Sequence, residues 1–272
     1  VLQRGVESWG AGDLSTRLPV QGHDEVAFLA ERFNAAAERV QTLLQSHKAL
    51  LANASHELRS PLARIRMGLE LMAQDPGTAA QRVELSRSIE ELDQLIDEIL
   101  LASRLDARAD DPAALGPTEE IDLIGLAAEE CARTGADLQV AEGSAPLLLH
   151  GHARLMRRLV RNLLENARRY GTNSAAPSPD GEAAVTLSLQ QTDAPSGRGI
   201  RLAVEDRGPG VPPALRDRIF EPFFRLPGAS EREGGVGLGL ALVKSIAQRH
   251  GGAVHCEDRT GGGARFVVNL PN

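Results

Sequence analysis

The chain has 272 residues, which suits two or three domains, and carries a net charge of −7 with a pI near 5.6. This charge excludes a broad electrostatic surface for nucleic acid or anionic lipid, so no nucleic-acid partner is expected. The two cysteines, Cys131 and Cys256, lack the spacing of a disulfide scaffold or a zinc module. No run of about 18 apolar residues indicates a membrane span, and the first residue, Val1, is not methionine. We expect a cytoplasmic fragment of a longer protein.

The N-terminal part of the chain has the pattern of long helices. Apolar residues from Val26 to Ala54 follow the heptad spacing of a coiled coil, and a second apolar stripe from Leu51 to Met72 starts out of step with it. The segment 75–78, Asp-Pro-Gly-Thr, should end this helix, and a third stripe follows from Leu85 to Ser103. One helical hairpin cannot bury both apolar faces, so we expect a homodimeric four-helix bundle.

Beyond a polar linker at 107–118 the pattern changes to short β-like runs that alternate with helical runs. The β-like runs lie at 138–141, 146–150, 184–189, 200–206 and 264–270, and the helical runs at 122–134, 152–170 and 238–250. This alternation predicts a two-layer α/β sandwich. Two polar segments, 171–182 and 226–235, are expected to form loops.

A histidine lies beside the second apolar stripe, within the segment Ser-His-Glu-Leu-Arg-Ser-Pro-Leu at 55–62. His56 should flank the seam and reach solvent, and Glu57 can hold one ring nitrogen protonated so that the other keeps its lone pair. Pro61 lacks the N–H that would bond the carbonyl of Glu57, which favours a bend there. The alternative is a surface histidine with no chemical role.

Asn162 and Asn166 are four residues apart on an amphipathic helix and therefore share a face. Their amide oxygens could approach a hydrated magnesium ion whose other ligands are phosphate oxygens. The helix then adds a cation, Arg169, and a hydrogen-bonding ring, Tyr170. The alternative is a pair of solvent-facing asparagines.

Two glycine-rich segments complete a candidate nucleotide site. Asp206 could accept a hydrogen bond from an exocyclic amine, while Gly208 and Gly210 let the backbone fold around a flat ring, although turn chemistry alone also explains them. Further glycines precede an apolar helix whose first amides can face phosphate: Gly235, Gly237 and Gly239. Their spacing fits neither a dinucleotide fingerprint nor a Walker loop.

The order of these motifs resembles that of sensor histidine kinases. The segment 55–62 is similar to the phosphoacceptor box of their dimerisation and histidine-phosphotransfer domain, which implies that His56 is phosphorylated and that Glu57 is its acid/base partner. Ser60 stands where the family usually has Thr or Asn, a residue linked to dephosphorylation of the partner.

Four downstream segments resemble the N, G1, F and G2 boxes of the family's catalytic domain, and a weaker G3-like segment follows at 260–266. The four are 162–170, 206–210, 219–225 and 235–240. They imply an ATP-binding sandwich of the GHKL (Bergerat) type, in which Asp206 reads adenine and Asn166, helped by Asn162, holds Mg²⁺. A lid at about 224–236 would be flanked by Phe220, Phe223 and Phe224. The implied ATP-binding residues are Asn162, Asn166, Arg169, Tyr170, Asp206, Gly208, Gly210, Phe220, Gly235, Gly237, Leu238, Gly239 and Leu240.

Residues 11–40 resemble the second half of a HAMP signalling module, including the pairs Asp24-Glu25 and Phe33-Asn34, although a plain coiled coil would also explain the heptads. That module normally follows a transmembrane helix, so the missing front is expected to anchor the full-length protein in the bacterial inner membrane.

The resemblance implies an enzyme that autophosphorylates a histidine with ATP and Mg²⁺. It then transfers the phosphoryl group to an aspartate of a response regulator, with dephosphorylation of that regulator as a second activity. The expected domains are a partial HAMP module at 1–45, a hairpin at 46–106, a linker at 107–118 and a catalytic domain at 119–272. The alternatives are a GHKL-type ATPase and a non-catalytic signal-relay protein.

Overall fold

The computed structural model describes residues 9, 13–20, 22, 25–74, 79–106, 117–144, 146–171, 184–194, 197–226 and 236–271. The expected helix break at 75–78, most of both expected loops, and Gly235 lie outside these residues. The chain divides into two compact units, Val1–Met67 and Gly68–Asn272. In the part of the chain that the structure describes, no helix combines the length and apolarity that a membrane span needs.

The first unit is dominated by one continuous helix, α1 (Glu25–Gln74), which extends past Met67. The two stripes that the sequence places out of step therefore lie on one helix, which continues through Pro61. In the segment before α1, Leu18 is buried and its backbone forms two hydrogen bonds with the side chain of Asn34. The N–H of Leu18 donates to Asn34 Oδ1, and its carbonyl oxygen accepts from Asn34 Nδ2, both at 2.8 Å. The segment before α1 is thus fixed to the helix through its backbone.

The second unit contains a long helix followed by an α/β region. Its elements are α2 (Ala79–Asp106), β1 (Glu119–Asp122), α3 (Leu123–Thr134), β2 (Asp137–Val140), β3 (Leu148–Gly151), α4 (Ala153–Gly171), β4 (Val185–Ala194), β5 (Gly197–Asp206), α5 (Gly239–Arg249), β6 (Ala253–Asp258) and β7 (Ala264–Pro271). The predicted two-layer α/β sandwich is confirmed. The sequence pattern did not predict β1 and β6, because both are short and contain acidic residues.

A five-stranded sheet in the order β2-β4-β5-β7-β6 forms one layer, and α3, α4 and α5 pack on it. Only the pair β2 and β4 is parallel; the others are antiparallel. Along the central strand β5, Ile200, Leu202 and Val204 are buried. Since side chains two residues apart share a face of a strand, Asp206 lies on that same face at the strand's end.

The long helix α2 has two apolar faces with different surroundings. Leu95 and Ala102 are buried, and α2 contacts α5 of the sandwich. Ile89 and Ile96, which belong to the stripe predicted from the sequence, are exposed in the single chain. One face of α2 therefore serves the fold of the second unit, while the other is left for a further partner.

Candidate functional site

The carboxylate of Asp206 is the buried polar group at the centre of the candidate site, with 3% of its surface exposed. Its Oδ1 accepts hydrogen bonds from the backbone N–H groups of Gly208, at 2.8 Å, and Ala264, at 3.2 Å. Its Oδ2 has no hydrogen-bond partner among the described residues. Burial raises the pKa of this carboxyl, and the two N–H donors and the nearby Arg259 oppose that rise.

Glycines near this carboxylate allow backbone segments to approach one another closely. A Cβ on Gly208 would collide with the carbonyl oxygen of Tyr170, and one on Gly263 would collide with the carbonyl oxygen of Asp206. Gly210 has φ +75°, a conformation that side-chain-bearing residues rarely adopt. Backbone atoms therefore pack closely around the end of β5, where the carboxylate of Asp206 is held.

The two asparagines of α4 have different environments although they share a helix face. Asn162 is 5% exposed, and its Nδ2 donates to the carbonyl oxygen of Gly239, the first residue of α5, at 3.1 Å. Asn166, one turn later, is half-buried, and Arg169 is exposed. Asn162 thus joins the two helices of the site, and Asn166 is the more accessible amide.

A close backbone contact precedes α5. Among the described residues, Phe223 is the one non-glycine residue with positive φ, at 63°. Its N–H donates to the carbonyl oxygen of Gly237 at 2.9 Å, and a Cβ on Gly237 would lie 2.8 Å from the carbonyl carbon of Phe223. Only glycine at 237 allows the two segments to approach this closely.

The remaining predicted site residues occupy the margins of this arrangement. Phe220 is buried, and its ring lies edge-on to that of Phe266, with 6.5 Å between centroids, as in an ordinary core pair. Phe224 lies under the guanidinium of Arg218, 4.6 Å from the ring centroid. Leu238 is fully buried, whereas Tyr170 and Leu240 are half-buried.

The candidate phosphoacceptor lies in the first unit. His56 and Ser60 are exposed on α1, one turn apart, and Glu57 is half-buried. The preceding residue, Ser55, donates its hydroxyl to the carbonyl oxygen of Leu51 at 2.8 Å, so that side chain is held against the helix backbone. The imidazole of His56 is accessible to a reactant in solution.

Sequence reasoning missed two residues that shape the site, Gly263 and Ala264. Both belong to the G3-like segment, whose glycine run before a strand was the available signal. The structure places Gly263 against Asp206 and uses the N–H of Ala264 to hold the carboxylate.

Three family models match the chain. They are the HAMP domain at residues 1–42, the His Kinase A (phospho-acceptor) domain at residues 46–108, and the Histidine kinase-, DNA gyrase B-, and HSP90-like ATPase at residues 151–272. The chain belongs to the sensor histidine kinases of two-component systems. The ATPase model, at 151–272, contains Asp206 with its glycines, both asparagines and the start of α5. The His Kinase A model, at 46–108, contains His56.

Curated relatives of this histidine kinase are longer than the chain. It is 36% identical to the sensor protein RstB of Escherichia coli K12 over 99% of the chain and 59% of RstB. It is 35% identical to the signal transduction histidine-protein kinase/phosphatase MprB of Mycolicibacterium vanbaalenii over 90% of the chain and 50% of MprB. The chain therefore spans about half, or slightly more, of each relative's length.

Solved structures have a similar fold. Full-length ShkA in complex with AMPPNP is 27% identical with a TM-score of 0.51, over 82% of this chain and 45% of ShkA. The Acinetobacter baumannii histidine kinase AdeS is 19% identical with a TM-score of 0.58, over 79% of this chain and 96% of AdeS, a likeness of fold alone.

Proposed function

We propose that the chain is the cytoplasmic signalling part of a membrane sensor kinase that phosphorylates His56 with ATP and then passes the phosphoryl group to an aspartate of a response regulator. The observation that carries this proposal is the Asp206 carboxylate, fixed through Oδ1 and bounded by glycines, in the same chain as an exposed histidine of a phosphoacceptor domain.

In this proposal Asp206 selects adenine. Oδ2 accepts a hydrogen bond from the exocyclic amine of the base, and Oδ1 stays bonded to Gly208 and Ala264 so that the carboxylate does not rotate. Guanine has a carbonyl oxygen at the corresponding position, which would oppose the carboxylate. The site should therefore prefer ATP to GTP.

We propose that the phosphate end of ATP lies between α4 and the start of α5. The first N–H groups of an α-helix are not bonded within the helix, so those of α5 can donate to phosphate oxygens. Arg169, exposed near the end of α4, offers a cation, and the amide oxygen of Asn166 offers a metal ligand. Mg²⁺, when bound, neutralises phosphate charge. Asn162 supports the same site through its bond to Gly239.

For the transfer step, a neutral ring nitrogen of His56 forms the bond to the γ-phosphorus while the bond to the bridging oxygen of ADP breaks. Glu57, the next residue, accepts the proton that leaves the other ring nitrogen. In the second step an aspartate oxygen of the regulator forms a bond to the same phosphorus, and the phosphorus–nitrogen bond of His56 breaks. The relative MprB is named a kinase/phosphatase, which supports hydrolysis of the regulator's phosphoryl-aspartate by water as a further activity, with Ser60 near the reacting group.

The proposed assembly is a homodimer. Large apolar side chains along α1 and α2 are exposed in the single chain, among them Leu51, Leu62, Leu69, Ile89 and Ile96. A second copy would cover them in a four-helix bundle. The HAMP match supports an anchor in the inner membrane for the full-length protein. We propose domain boundaries at 1–45, 46–106 and 119–272, with a linker at 107–118.

Incubation with γ-labelled ATP and Mg²⁺ tests this function against its rivals. A histidine kinase transfers the label to the chain. A GHKL-type ATPase releases labelled phosphate and leaves the chain unlabelled. A non-catalytic relay protein does neither. Label on the chain supports the proposal, and either other outcome overturns it.

A further inference from the structure

A histidine of the second unit, His250, joins the two helices of the candidate site. His250 directly follows α5, and its Nδ1 lies 2.8 Å from the carbonyl oxygen of Ile246, one turn earlier. Its Nε2 accepts the backbone N–H of His152, the residue before α4, at 3.2 Å. A carbonyl oxygen can only accept, so the proton is on Nδ1 and the ring is neutral.

Two neighbouring residues, Gly151 and His152, lie against the ring of His250. A Cβ on Gly151 would lie 2.5 Å from Cδ2 and 2.6 Å from Nε2 of His250, so the strand β3 ends with a residue that leaves room for the ring. The ring of His152 lies edge-on to it, with 6.0 Å between centroids. The position of the His250 ring therefore depends on Gly151, on the ring of His152 and on the carbonyl oxygen of Ile246.

Among the described residues, the bond from His152 to His250 joins the start of α4 to the end of α5. Another bond joins Asn162 to Gly239. Asn162 is ten positions after His152, the residue before α4, and His250, the residue after α5, is eleven positions after Gly239. At about 1.5 Å per residue the two spans are nearly equal, roughly 15 and 16 Å, so the bonds form two rungs between antiparallel helices.

We propose that His250 is a positioning residue for nucleotide binding: its neutral ring forms the far rung, which fixes α4 against α5 and so sets the spacing between Asn166 and the start of α5. Asn162 fixes α4 to the start of α5, and the bond from His152 fixes the other end of the pair. Two rungs hold Asn166 at a constant distance from the helix N-terminus that faces phosphate. This inference rests on the proposed binding of ATP between these helices.

Protonation should break the far rung, because a charged imidazole has no lone pair to accept the N–H of His152. Burial lowers the pKa of His250, His152 and Arg249 lower it further, and the bond to Ile246 opposes this. His152 acts from the residue before α4 and Arg249 from the last residue of α5, and Gly151 at the end of β3 has no side chain to titrate. Nucleotide affinity should therefore be constant at and above about pH 6.5, the ordinary histidine value, and should fall only as the pH drops through the lowered pKa of His250.

The test uses the full chain and measures binding of AMPPNP with Mg²⁺ by calorimetry between pH 5 and pH 8. His250→Asn keeps an amide near the position of Nδ1 but cannot reach His152, so the dissociation constant should rise about tenfold at pH 7.5, the effect of one lost buried hydrogen bond. His250→Gln places an amide oxygen near the position of Nε2 and should bind within about threefold of the parent. Acidification should weaken AMPPNP binding by the parent more than by His250→Gln, because the glutamine side chain does not titrate.

Two further variants separate positioning from folding. Gly151→Ala displaces the ring without changing its chemistry and should weaken binding as His250→Asn does, which covers the case in which His250→Asn does not fold. His255→Asn, an exposed histidine of β6, should bind as the parent does. Equal affinity of the parent, His250→Asn and Gly151→Ala would overturn the inference, as would equal losses and equal pH profiles for the Asn and Gln variants. A parent that binds no AMPPNP would instead overturn the proposed function.

Discussion

The backbone N–H of Phe223 donates a hydrogen bond to the carbonyl oxygen of Gly237 at 2.9 Å, and both residues have positive φ, 63° and 77°. This bond closes the base of the segment 224–236, which the family resemblance assigns to the lid over ATP. A phenylalanine with positive φ is strained, by about 1–3 kcal/mol, and the surrounding structure must maintain it. The close approach of Gly237 provides that constraint.

Replacing Gly237 by alanine should therefore separate the two ends of this segment. The new Cβ would lie 2.8–2.9 Å from the backbone of Phe223, so one segment must move. We expect the affinity for AMPPNP with Mg²⁺ to fall at least about tenfold, because the clash displaces the backbone beside the nucleotide site. Isothermal calorimetry measures this change.

Gly143→Ala is the matched control for that substitution. Gly143 has nearly the same φ, 75°, but nothing lies within 4 Å of the position its Cβ would occupy. Gly143→Ala should therefore lose only the φ penalty of about 1 kcal/mol in stability and no nucleotide affinity. Equal binding losses for the two variants would show that backbone strain in general, and not the contact with Phe223, is responsible.

Asp206→Asn should raise the stability of the nucleotide-free chain and weaken its binding of ATP. Because burial raises its folded-state pKa, Asp206 binds a proton more readily in the folded chain than in the unfolded chain. Its ionisation therefore removes stability as the pH rises from about 3.9, the ordinary aspartate value, through the folded-state pKa. At pH 7.5 the neutral asparagine avoids this cost, so the nucleotide-free variant should have a higher Tm than the parent.

The same variant should bind ATP roughly 10- to 100-fold more weakly, because a hydrogen bond to a charged acceptor is lost. Thermal melting with and without ATP and Mg²⁺ measures both effects. A lower Tm without nucleotide would contradict the assigned cost of burial. Unchanged stabilisation by ATP would contradict the adenine contact.

An ion pair between α2 and α4 offers a third test. Arg158 Nη2 lies 2.6 Å from Glu98 Oε1, and both side chains are largely buried. Burial raises the pKa of Glu98, and the charge of Arg158 opposes this rise. Arg158→Gln should destabilise the chain more than Glu98→Gln, since it leaves a buried carboxylate unpaired. A double-mutant cycle by urea denaturation should give a coupling of about 1–3 kcal/mol.

The exposed pair Arg87 and Glu91 on α2 is the control for this cycle, with a coupling of about 0.5 kcal/mol or less. Acidification should reduce the deficit of Arg158→Gln, because protonation of Glu98 removes its unpaired charge. A deficit that does not depend on pH would contradict this explanation.

The elements that could be predicted from sequence were those with a local pattern. The helix α4 and the strands β4 and β5 carry periodic apolar residues, so their positions follow from the sequence alone. The partner of Asn162 is 77 residues away and that of Asp206 at Ala264 is 58 residues away. Spacing along a helix groups Asn162 with Asn166, and only the packed fold shows that Asn162 bonds α5. The edge strand β6 is short and ends in two acidic residues, so its apolar pattern was too brief to indicate a strand.

Ser60 tests the proposed phosphatase role. It is exposed one turn after His56 on α1, where its hydroxyl can orient a water molecule. Serine lacks the methyl group that restricts the rotamer of threonine, so we expect weak dephosphorylation that falls with Ser60→Ala and rises with Ser60→Thr. The decay of a purified phosphorylated regulator in the presence of ADP measures this. Equal dephosphorylation rates for Ser60→Ala and the parent would show that the Ser60 hydroxyl has no role in this reaction.

The central claim is that His56 carries the phosphoryl group, and the most direct measurement is labelling of the parent and of His56→Gln with γ-labelled ATP and Mg²⁺. The parent should acquire a label that is labile in acid and stable in alkali, as expected of a phosphorus–nitrogen bond. His56→Gln should acquire none, yet bind AMPPNP with the parent's affinity, since the nucleotide residues lie in the other unit. Labelling that persists in His56→Gln would contradict the account.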